Sequence, residues 1–195
     1  MTGNITMTKN SAYPRSEASL PFLQAQLDIL IGLPFIDCWR LHRKLTVQIF
    51  EFGRKMEFLN GSGAAASQGP YALHVSCSWR LISGASICVA SGDDWHENDY
   101  IDEQKLPGKT QLDRSVEALC GDLKEKEPTV KAVNVTALGD VAIAMTHGYT
   151  LELFPMSTEP GEYWRLMYMD GRNYSLVCER DQIYTIEDES VAPPM

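Results

Sequence analysis

The chain has 195 residues, 44% of them hydrophobic and 22% charged, with a formal net charge of -9 and a sequence pI of about 4.9. This length suits one core, and the composition excludes a mainly disordered chain. The acidity disfavours broad nucleic-acid binding, because like charge repels phosphate backbones at long range.

In chain order, residues 1–15 are polar and lack periodicity, so they are expected to form a loose tail without a signal-peptide apolar run. Leu20, Leu23, Leu27, Leu30 and Ile31 then recur at helical spacing, with Ser19 as cap, Pro21 in the first turn and Gly32 as stop. Extended segments follow at 35–42 and 44–52, where Leu45, Val47 and Ile49 alternate with Thr46 and Gln48, the pattern of a hairpin. The Gly-rich stretch 60–70 reads as a flexible loop. Residues 71–80 alternate without a break and read as one strand, partnered by 86–90 through the Ser83-Gly84 turn. Segment 92–108 is acidic and aperiodic, which predicts an irregular excursion.

Thr110 with Asp113 makes a capping box, and Leu112, Val116, Leu119, Cys120 and Leu123 form an apolar stripe that ends before Pro128. Five further strands are predicted at 130–137, 141–145, 149–154, 163–169 and 174–179, several of them separated by short Gly turns that force antiparallel pairing. The expected class is therefore α+β, a mostly antiparallel meander with about two packed helices. One domain is expected over 16–186, with a solvated tail at 187–195.

The longest apolar stretch, near 27–36, is too short to span a bilayer and contains Asp28, Gly32 and Pro34. Five scattered cysteines, Cys38, Cys77, Cys88, Cys120 and Cys178, lack zinc-site spacing and are expected to be reduced thiols in a cytoplasmic protein. Cys77 and His74 lie three apart, which alternation puts on opposite faces of a strand and not in a nucleophile–base pair. The sequence contains no phosphate-loop, G-x-S-x-G or H-E-x-x-H motif. No cofactor, nucleic acid or membrane partner is expected.

The densest polar constellation is Asp93, Asp94, Trp95, His96, Glu97 and Asp99, continued by Asp102 and Glu103. Its carboxylates and imidazole suit a divalent cation in type, but the spacing fails the calcium-loop pattern. The favoured reading is an acidic, partner-binding loop carried on Trp95. Arg80 and Arg165 each follow a tryptophan, so they should face outward and either grip a carboxylate ligand or form structural ion pairs.

The string Ala72-Leu73-His74-Val75-Ser76-Cys77-Ser78-Trp79-Arg80-Leu81, with Leu138-Gly139-Asp140 and Glu162-Tyr163-Trp164-Arg165-Leu166, resembles a group of uncharacterised bacterial proteins over about 28–180. That resemblance implies a bacterial cytosolic origin and carries no site residues. The size and acidity are more loosely similar to small acidic immunity proteins. The expectation is a cytosolic interaction protein, immunity- or antitoxin-like, that neutralises a basic protein partner. The alternatives are a metal-assisted hydrolase using 93–103 and a structural subunit of a larger assembly.

Overall fold

Alternating apolar and polar residues build most of the described chain into antiparallel strands, most of which turn a face to a shared core. The computed structural model describes residues 8–14, 20–40, 47–59, 63–94, 110–169, 174–180 and 182–187. Segments 41–46 and 95–109, and the ends 1–7 and 188–195, lie outside the described residues, as do Trp95, His96, Glu97 and Asp99 of the predicted acidic loop.

The larger sheet has seven strands. From one edge these are β1 (Thr8–Pro14), β14 (Gln182–Glu187), β13 (Tyr174–Glu179), β12 (Glu162–Tyr168), β6 (Tyr71–Val75), β3 (Gln48–Phe52) and β2 (Phe35–Arg40). The second sheet runs β8 (Ser86–Ala90), β7 (Ser78–Ser83), β11 (Tyr149–Phe154), β10 (Val141–Met145) and β9 (Val130–Val135). A separate ribbon pairs β4 (Met56–Leu59) with β5 (Ala65–Gln68). Helix α1 (Leu20–Leu27) packs on β9, and α2 (Gln111–Lys126) packs on β2 and β8. No described helix is long and apolar enough to cross a membrane.

The α+β class with mainly antiparallel pairing is as the sequence predicts, and three particulars differ. The stretch 71–80 is two strands in different sheets, separated at Ser76-Cys77, whose amides both donate to the Tyr163 carbonyl. The C-terminal strands form two three-stranded meanders, β9–β10–β11 and β12–β13–β14, one in each sheet. Within the stretches read as tail and loop, Thr8–Pro14 pairs with β14, and Ala65–Gln68 pairs with β4.

One core joins both sheets and both helices, with Leu23 and Leu27 from α1, Phe50 and Leu73 from the large sheet, and Trp79 and Leu151 from the small one. Phe50 meets Trp79 edge-on at 5.0 Å between ring centroids, a favoured aromatic arrangement. Trp164 is fully buried, and its indole Nε1 donates to the Gly139 carbonyl at 2.9 Å, tying β12 to the β9–β10 turn.

Helix α2 starts where the sequence places it. The Thr110 hydroxyl accepts from the Asp113 amide (3.1 Å), and Asp113 Oδ2 accepts from the Thr110 amide (3.0 Å). The helix stops at Glu127, which adopts a left-handed conformation (φ 43°) and donates its amide to the Leu123 carbonyl. Thr110→Ala should cost about 0.5–2 kcal/mol, read as a lower urea midpoint with an unchanged slope.

Candidate functional site

The hairpin formed by β3 and β6 does not end with the large sheet. Beyond the Phe52–Tyr71 pair the chain bends and pairs again at Met56–Gln68, so three residues, Gly53 to Lys55, oppose Gly69 and Pro70. One extra residue on one strand is a bulge, which re-aims the ribbon beyond it. The amides at the bend leave the ladder: Gly53 donates to the Pro34 carbonyl (2.8 Å) and Gly69 to Glu51 Oε2 (3.0 Å). Glu51 is buried, and its other oxygen accepts from Trp39 Nε1 at 2.7 Å. A buried carboxylate with two donors is a rigid fastening, since leaving either donor unmet costs free energy.

Beyond this root the β4–β5 arm is exposed. Met56 and Phe58 sit two apart on β4, hence on one face, and are 36% and 40% exposed. Neither belongs to a buried core cluster.

Beneath the arm's root lies a cleft of about 690 Å³ between the 32–36 segment and the C-terminal turn of α2. Leu33, Pro34, Phe35, Ile36 and Leu123 supply its apolar wall, while Arg54, Lys55, Lys124 and Glu127 supply charge. Lys55 is committed to Asp37 (Nζ–Oδ2 2.7 Å). Burial is the largest influence on the Asp37 carboxyl and raises it, but the Lys55 ammonium, the Cys38 amide and the Cys120 thiol together hold it below its ordinary range. Cys120 Sγ also lies 3.5 Å from Asp37 Oδ1 and 3.4 Å from the Cys38 carbonyl.

Three of the five thiols are chemically quiet. Burial raises Cys38 and Cys120, and it pushes Cys77 up to about 12, so none supplies a thiolate near neutral pH. Cys77 flanks a cavity of about 420 Å³ beside Ser157, Glu159 and Glu162.

Of the residues singled out from sequence, Asp93 and Asp94 are occupied locally. Asp93 Oδ2 accepts from the Ala90 amide (2.9 Å), and Asp94 Oδ1 pairs with Arg40 Nη2 at 2.9 Å. The Arg40 side chain is 11% exposed, so this pair anchors the Ser91–Asp93 turn to β2 beside a cavity of about 220 Å³. Arg80 pairs with Glu152 on the neighbouring strand (2.5 Å) and lies over the Phe154 ring, while Arg165 pairs with Glu162 (2.6 Å). The two arginines lie in different sheets and do not converge. Among the described residues no group of three or more His, Cys, Asp and Glu is placed to hold a metal ion.

His74 lies in a row across the large sheet between Ile49 and Arg165. Burial and then the Arg165 charge lower its pKa from 6.5, against a weaker opposing pull from Glu162. Below about pH 6.5 the unfolded chain takes up this proton more readily than the folded one. The contribution of His74 to stability should therefore be level above about 6.5 and fall with pH until the lowered folded value is passed. The loss in Tm between about pH 7.5 and 5.5 should be smaller in His74→Gln than in the wild type.

Sequence reasoning missed Met56, Phe58, Glu51 and Lys124. The one available signal was Met56-Glu57-Phe58 alternating directly after Gly53-Arg54-Lys55. Comparison with protein-family models, curated proteins and solved structures finds no match to this chain.

Proposed function

We propose that this chain is a binding protein whose partner is another protein, docked on the β4–β5 arm. The observation that carries this reading is an apolar pair, Met56 and Phe58, held out from the core on a ribbon whose root is fastened by Glu51 and Gly53. A two-stranded ribbon is marginal on its own in water, and covering its apolar face contributes about 25 cal/mol per Å². The net charge of -9 favours a basic partner by speeding encounter. Neutralisation of a basic toxin, as immunity proteins and antitoxins perform, is the most concrete form of such a role.

The test is affinity capture from cells of the source organism with the wild-type chain and with the Met56→Asp, Phe58→Asp double variant, followed by calorimetry with the identified partner. Both positions are exposed, so the variant should fold. A basic protein bound by the wild type and lost by the variant supports the reading. Equal binding by the two overturns docking through the arm, and no stoichiometric protein partner overturns the function.

A further inference from the structure

We infer that the cleft beneath the arm is a binding site for a small amphipathic anion, an apolar body carrying a single carboxylate. Three features converge there. The volume of about 690 Å³ falls within the range of small-molecule sites, and the wall combines apolar side chains with a few charged ones. The charge is also inverted relative to the chain as a whole. The lining carries Arg54, Lys55 and Lys124 against Glu127, with Asp37 and Glu51 acting on Lys55 from outside it, on a protein of net -9.

Two of those cations are uncommitted. Lys55 is held by Asp37, but Arg54 and Lys124 make no hydrogen bond or ion pair among the described residues. Lys124 lies in the last turn of α2, whose negative dipole end anchors the cation but opposes a bound anion, so the carboxylate has to engage both Arg54 and Lys124. A carboxylate between Arg54 and Lys124 gains charge-assisted hydrogen bonds, with Arg54 able to bind it in two-pronged fashion. The apolar body then lies along Leu33, Ile36 and Leu123. Leu33 and Ile36 are only half-buried, so they retain surface for a ligand to cover. Ile36 also touches the bend of the arm: its Cδ1 lies 3.1 Å from where a Cβ on Gly69 would stand. The cleft and arm are thus neighbours, although the two readings rest on different side chains.

The experiment titrates the isotopically labelled full chain with octanoate, octanol and inorganic phosphate, following backbone amide shifts. Octanoate should move amides of Leu33, Ile36 and Leu123, with octanol and phosphate each binding at least about tenfold more weakly. Arg54→Ala with Lys124→Ala should weaken octanoate by about tenfold or more while preserving the remaining spectrum. Lys131→Ala, an exposed cation on β9, should leave it unchanged. Octanol or phosphate equal to octanoate, or an unaffected double variant, would overturn the site. Met56→Asp with Phe58→Asp should retain octanoate binding, so failure of the arm reading and failure of the cleft reading are separable.

Discussion

Trp164→Ala should destabilise the fold by about 3–5 kcal/mol, the usual cost of truncating a large buried aromatic. Trp164 is fully buried in β12, between Val75 on β6 and Cys178 on β13. Its indole also donates to the Gly139 carbonyl, which belongs to the turn between two strands of the other sheet. Truncation therefore opens a cavity where the sheets meet and leaves a carbonyl without its donor. Trp164→Phe separates the two effects, since it keeps most of the apolar volume and loses the donor. It should cost less, and the difference reports the packing share. Urea unfolding followed by far-ultraviolet circular dichroism checks both, and a loss below about 1 kcal/mol in the alanine variant would show that the indole does not join the sheets.

Which parts of this architecture are legible in the sequence depends on how local their cause is. The α2 start is legible because Thr110 and Asp113 exchange hydrogen bonds three residues apart. The switch between sheets at Ser76-Cys77 is invisible, because alternation reports which face of a strand is buried and not which sheet it joins. Leu73, Val75, Trp79 and Leu81 are all buried on either side of that break. The β5 strand hides in small residues, Ala65 to Gln68, whose pairing comes from register with β4. Similarly, β14 was not among the predicted strands: Tyr184 and Ile186 are buried beside Val177, directly before the acidic residues of the predicted 187–195 tail.

The candidate site was less readable than the fold. Asp93 and Asp94 stood out as a carboxylate pair, yet their oxygens serve Ala90 and Arg40. Arg80 and Arg165 each pair with a glutamate, as the ion-pair reading of the sequence expects. Arg54 and Lys124, which line one cleft, are separated by a long stretch of chain with no shared motif, so only the packing of α2 against β2 brings them together. Charge pattern along a chain reports composition and not convergence in space.

Gly53→Ala should be the most damaging single change in the arm, at about 2–6 kcal/mol from left-handed strain and overpacking together. Gly53 is buried at φ +90°, a conformation that side chains rarely adopt, and a Cβ there would lie 2.4 Å from Cγ and 2.7 Å from Cδ of Pro70. Pro70 cannot easily yield, because its carbonyl accepts from the Met169 amide at 2.8 Å and its φ is fixed by the ring. Gly63→Ala supplies the comparison, since Gly63 has a similar φ of +78° with nothing among the described residues within 4 Å of an added Cβ. That variant bears backbone strain alone and should lose about 1–2 kcal/mol. Equal losses in the two variants would mean that the close approach of Gly53 to Pro70 does not hold the bend. If Gly53→Ala loses more, it should also weaken a partner docked on Met56 and Phe58 while the Trp79 and Trp164 near-ultraviolet signals persist, because the bend sets where those two side chains stand.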